Sequence, residues 1–170
     1  IGAVKSRQEI IIFTDTSVYS MQFVGPPLTF AINLINEATG LIGPKAAVTA
    51  DSGIYFMSYG SFYLYNGTVE KLPCSVQSYV FSDLNNGQAY KIHGFSNSEN
   101  NEIGWFYPSA SASEIDRYVI YNTQEKVWYY GQLERTSWLD SGVVSYPQAT
   151  KDNYLYQHEI GYDDDGTAMT

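Results

Sequence analysis

A chain of 170 residues with 9 Lys plus Arg against 18 Asp plus Glu carries a formal net charge of -9, which argues against charge-driven nucleic-acid binding, because affinity for phosphate rests on clustered cations. The same balance disfavours anionic membranes and is accounted for equally by solubility through self-repulsion. The single Cys74 excludes an internal disulfide, so cytoplasmic folding is expected, and no apolar run approaches the roughly 18 residues that span a bilayer, so no membrane insertion is expected.

Aromatic residues make up 16% of the chain and charged residues another 16%, with 16 Tyr. Aromatic and β-branched side chains suit a pleated, half-buried surface, so the composition predicts sheet. The start, Ile1-Gly2-Ala3-Val4, has neither an initiator Met nor a signal-peptide pattern and reads as a fragment or a processed chain.

Glu9 to Phe13 and Ser17 to Phe23, separated by the polar Thr14-Asp15-Thr16, predict a hairpin. Gly25-Pro26-Pro27 is expected to end that sheet, since neither Pro can donate to a ladder. Leu28 to Thr39 is expected to be strand and then loop, and Gly40 to Pro44 a turn-rich link. From Ala46 to Leu72, four short strands are expected as a meander, with Asn66-Gly67 supplying a hairpin turn. That turn also explains the Asn66-Gly67-Thr68 sequon without any sugar.

Pro73 should stop the sheet, and one short helix is expected near residues 75–88. Val76, Tyr79, Val80 and Leu84 fall at helical spacing, with Ser75 as cap and Asn86-Gly87 as terminator. Strands resume at Lys91 to Ser96 and Glu102 to Tyr107. The best-formed hairpin of the chain follows from Arg117 to Gly131, turning at Asn122 to Lys126. Trp138 to Val144 and Gln148 to Glu159 read as further short strands, and Asp163-Asp164-Asp165-Gly166 as a turn.

Apolar bursts begin at Ile10, Ile54, Ile103 and Tyr154, spaced by 44, 49 and 51 residues. A period near 50 with four short strands per unit is the pattern of a β-propeller blade. The predicted fold is therefore all-β: a single β-rich repeat domain over 1–170 with units near 1–45, 46–95, 96–147 and 148–170. On this phase the chain opens late in one blade and closes early in another. That leaves roughly three blades where closure takes four to eight, so either a partial propeller or arc, part of a longer chain, or an open or distorted sheet stack is expected.

Nothing in the sequence announces catalysis. There is no Gly-rich phosphate loop or nucleophile elbow, His93 and His158 lie on separate strands, and Tyr59-Gly60-Ser61 lacks the second Gly of an elbow. The Asp163 to Gly166 run lacks the alternating carboxylates and distant Glu of a calcium loop. Glu114, Asp116 and Arg117 read as a strand entry. No catalytic residue, metal or cofactor is therefore expected. The binding candidates are aromatic: Trp105, Tyr107, Trp128 and Tyr130 could form a platform for a sugar or a protein, although packing between blades is the commoner fate of such residues.

Several segments together carry a family resemblance. They are Ile12-Phe13-Thr14-Asp15, Val18-Tyr19-Ser20-Met21, Gly40-Leu41-Ile42-Gly43-Pro44-Lys45-Ala46-Ala47-Val48, Ile54-Tyr55-Phe56-Met57 and Phe62-Tyr63-Leu64-Tyr65-Asn66-Gly67. In these the chain resembles the tail nozzle, or tail tubular, proteins of tailed bacteriophages and related head-to-tail connector and virion stabilisation proteins. The resemblance implies a structural virion component, made in the host bacterial cytoplasm. It would sit as a homo-oligomeric ring around the DNA exit path, with other tail or connector proteins as partners and without sequence-specific DNA binding. It brings no catalytic residues. The alternative reading is a carbohydrate- or receptor-binding propeller on the tail.

Overall fold

The computed structural model describes residues 2–164 and 167–168. Among them the fold is all-β, built as a row of small antiparallel sheets in which each strand pairs with its neighbour in sequence. The first sheet contains β1 (Gly2–Lys5), β2 (Ile10–Phe13), β3 (Val18–Phe23) and β4 (Phe30–Asn36). The second contains β5 (Ala47–Ala50), β6 (Gly53–Ser58), β7 (Ser61–Tyr65) and β8 (Val69–Lys71). After the helix α1 (Gln77–Ser82) comes a third sheet of β9 (His93–Asn97), β10 (Glu102–Tyr107), β11 (Arg117–Asn122) and β12 (Val127–Gln132). The fourth has three strands, β13 (Ser137–Leu139), β14 (Gln148–Lys151) and β15 (Tyr154–Gln157), and a two-residue pair, β16 (Asp163–Asp164) with β17 (Thr167–Ala168), follows.

The sheets are arranged like propeller blades. The first strand of each lies beside the first strand of the next: β1 by β5, β5 by β9 and β9 by β13. Backbone bonds tie two of these inner edges together, since Gly94 N donates to Lys45 O at 2.8 Å across a parallel bridge between Lys45 and His93. Because side chains alternate along a strand, each sheet has two faces that can be covered. Phe13 of the first sheet meets Phe56 of the second, with ring centroids 4.9 Å apart. From the opposite face of the second sheet, Phe62 meets Trp105 at 4.8 Å and Tyr55 meets Tyr121 at 6.3 Å. The far face of the third sheet stacks Phe95 on Phe106 and places both against Trp138.

The structure moves several boundaries. Gly25-Pro26-Pro27 does not end the first sheet: it turns β3 into β4, at positions where no ladder donor is needed, and Val24 N still reaches Thr29 O at 3.1 Å. The first sheet is thus a whole four-stranded meander, and the expected half-blade at that end is corrected. The bursts at Ile10, Ile54 and Ile103 all open the second strand of a sheet. Tyr154 instead opens the third strand of the fourth sheet, so the last interval does not measure the repeat.

Within the predicted helical stretch, α1 occupies only Gln77–Ser82 and is preceded by Val76, with no side-chain cap from Ser75. It stops at Asp83 because the chain is then drawn against residues 108–109: Leu84 bridges Ser109, and Asn85 N donates to Pro108 O at 3.0 Å. Asn86-Gly87 opens a 3-10 turn over Asn86–Lys91 whose Gly87 N donates to Asn85 Oδ1. The strand expected over Trp138 to Val144 is only three residues long. Beyond it, Asp140 bends away to accept hydrogen bonds from Ser96, Ser98 and Ser141. Of the turn expected at Asp163 to Gly166, Asp163 and Asp164 form the strand β16, and Asp165 and Gly166 lie outside the described residues.

Candidate functional site

The aromatic candidates separate once the sheets are stacked. Trp105 points from β10 into the space between the second and third sheets with no exposed surface, and its Nε1 donates to Ala46 O at 2.9 Å. Tyr107, two residues on and therefore on the same face, is also fully buried. Burial pushes its phenol above the usual range, an effect reinforced by the nearby Asp83. Trp128 is half-buried against Phe62 and Tyr121 and donates to Pro73 O at 2.8 Å. Tyr130 is the most exposed of the four and lies on Tyr79, with ring centroids 4.2 Å apart. Trp105 and Tyr107 thus offer no surface to a ligand. The four do not form a platform, because alternation in β10 and β12 turns them all toward the second sheet.

The two histidines are held in different settings. His93 is largely buried on the inner edge, its Nδ1 2.8 Å from Gly94 O, and burial lowers its pKa. His158 accepts from Arg135 Nε at 2.9 Å. Among the described residues no group of three or more His, Cys, Asp or Glu is placed to hold a metal ion. Asp116, read as a strand entry, accepts from Ser109 N and Oγ at 2.7 Å each and pairs with Arg117 at 3.1 Å, so its carboxylate holds a loop.

A cleft lies elsewhere, on the opposite face of the third sheet where the fourth sheet leans over it. Its volume is about 990 Å³ and it opens to solvent. Phe95 and Phe106 form part of its lining from the third sheet, both nearly fully buried, while Tyr118 from β11 and Trp138 and Tyr156 from the fourth sheet contribute further rings. Polar groups line the same space: Asn97, Glu102, Gln132, Gln148 and Gln157.

The local reasons are legible. Gly104 leaves room for the Phe95 ring, which an added Cβ would meet at 2.2 Å. Gly131 likewise leaves room for Tyr118 to lie across β12. Trp138 is fixed by donating from Nε1 to Ser96 O at 2.7 Å. Arg135 is 5% exposed. Its guanidinium is 4.3 Å from the centre of the Tyr156 ring, with further bonds to His158 and to Glu134 O.

Two polar groups of the cleft differ in how they are satisfied. Glu102 accepts from Asn97 Nδ2 and from the Tyr129 hydroxyl; the Tyr129 phenol is raised by burial and by that carboxylate. Asn97 is 2% exposed, and its Oδ1 has no hydrogen-bond partner among the described residues. A buried carbonyl left unpaired costs about 1–3 kcal/mol, so the position calls for a donor. Sequence reasoning missed this cleft because its residues lie in six separate short stretches spread over the third and fourth sheets and the segment after them. No protein-family model matches the chain, and no curated protein matches it.

Proposed function

We propose that the chain is a structural component of a tailed-phage virion, built into the tail nozzle or the head-to-tail connection, where it joins other β-sheet subunits around the DNA exit path. The observation that carries this reading is the uncovered face of the first sheet. Phe30, Ile32 and Leu34 on β4 are 54%, 62% and 47% exposed, and Phe23 on β3 is 70% exposed. Register places Phe23 opposite Phe30 and Met21 opposite Ile32, so these side chains form one continuous apolar surface.

In the second and third sheets the matching face is covered by the sheet before it, through Phe13 on Phe56 and Phe62 on Trp105. A face built for stacking and left open among the described residues calls for a further sheet, whether from the same polypeptide or from another subunit. The acidic balance of the chain supports a conduit through which DNA passes without being held.

The test is direct. Antibodies raised against the chain should decorate the tail or connector region of purified tailed-phage particles in negative-stain electron microscopy, and its peptides should appear in the mass spectrum of those particles. Absence of both from intact virions overturns the proposal. The alternative, a carbohydrate-binding module, is favoured by a different observation, the aromatic cleft between the third and fourth sheets.

A further inference from the structure

We propose that the cleft between the third and fourth sheets is a binding site for a short neutral oligosaccharide. The inference does not rest on the assembly role, since the cleft and the open face belong to different ends of the row of sheets.

The first step is shape. About 990 Å³ lies at the upper end of the range for small-molecule sites, and the cleft opens to solvent, so a ligand larger than one sugar ring can enter it.

The second step is chemistry. A sugar ring is amphipathic, with C–H groups on its faces and hydroxyls around its edge. Tyr118, Trp138 and Tyr156 offer rings for the faces, while the amides of Gln132, Gln148 and Gln157 both donate and accept at the edge.

The third step is charge. Glu102 and Glu159 share the lining with the guanidinium of Arg135, which already lies against Tyr156 and bonds His158 and the Glu134 carbonyl. An acidic lining opposes uronates, sialic acids and phosphorylated sugars and leaves neutral saccharides as the matching class. A purely apolar ligand is also opposed, because it would leave the glutamine amides unpaired.

The test uses the whole chain and a panel of neutral hexose and N-acetylhexosamine trimers and tetramers, with a uronate trimer and an extended peptide as comparators. Binding is followed by calorimetry and by tryptophan fluorescence. At least one neutral member should bind saturably and change the emission. Trp138→Phe should remove the emission change, because Trp105 and Trp128 are packed against the second sheet. The Gln132→Ala/Gln157→Ala double variant changes two exposed side chains and should keep the wild-type melting temperature while weakening binding at least tenfold. Tyr156→Ala should weaken it similarly, and Phe30→Lys on the first sheet should leave it unchanged. The proposal is overturned if no neutral member binds at millimolar concentration, if the double variant binds within twofold of wild type, or if the uronate or the peptide binds more tightly than every neutral sugar.

Discussion

At the scale of single residues, burial decides which groups hold the sheets together and which respond to solution conditions. His93 sits where the first strands of the second and third sheets meet, and burial lowers its pKa below the value of about 6.5 expected in an unfolded chain. As pH falls through 6.5 the unfolded chain takes up a proton before the folded one does, so stability is lost over the window from 6.5 down to the lowered folded value. The melting temperature should therefore fall between pH 7 and pH 5, and His93→Gln should flatten that part of the profile. An unchanged slope in the variant would assign the acid sensitivity to other groups. Tyr65 and Tyr129 have the opposite sign. Burial, together with hydrogen bonds to Glu9 and Glu102, raises their phenols, so their contribution is complete below pH 10 and is lost as pH climbs beyond it.

The residue scale is also where sequence reading reaches least far. Trp105 and Trp138 look alike in sequence, each an aromatic within a short strand. One is sealed between sheets and bonded to Ala46 O, while the other lines an open cleft. The difference is which neighbouring sheet its face meets, and that depends on the packing of strands more than 30 residues away.

At the scale of elements, local signals were sufficient wherever turn chemistry and alternation agreed. The hairpin of β11 and β12 forms as its residues predict. Asn122 Oδ1 accepts from Gln124 N and Glu125 N, and Lys126 takes the left-handed conformation at φ 61°. The meander from β5 to β8 is equally legible, with Gly67 at φ 111° in its last turn. Long-range backbone pairing overrode local preference at Leu84, where the helical pattern gives way to a bridge with Ser109.

The β3–β4 hairpin carries its own prediction. Its apolar face is solvent-exposed, so Phe30→Lys and Ile32→Lys remove little native packing and should shift unfolding free energy by no more than about 0.5 kcal/mol. Because that surface is the one assigned to assembly, the same substitutions should abolish concentration-dependent association measured by sedimentation velocity. If the wild-type chain and the double variant sediment identically at every concentration, the face does not mediate association between copies of this chain.

At the scale of the whole molecule, the repeat is what the sequence conveyed best, because it is written in composition and spacing rather than in contacts. The equivalence of Ile10, Ile54 and Ile103 survives in three dimensions as the opening of the second strand of three successive sheets. The phase of the repeat was less legible, since Gly25-Pro26-Pro27 looks like a terminus in sequence and acts as a turn in space.

A row of sheets that touch mainly their neighbours has a stability that sums over units and interfaces, so protection should depend on how many faces of a sheet are covered. The second sheet is packed on both sides, and the third is packed against the second and, over Phe95 and Phe106, against the fourth. The first sheet has one open face, and the fourth is half-exposed through Leu139, Tyr154 and Leu155. Native-state hydrogen exchange should therefore be slowest in β6, β7, β10 and β11, faster in β3 and β4, and fastest in β14 and β15. Addition of a cleft ligand should slow exchange in β14 and β15 and leave β4 as it was, because the fourth sheet lines the cleft and the first does not. Uniform protection across all four sheets would mean that the chain opens as one cooperative unit, and the additive picture of stacked sheets would then fail.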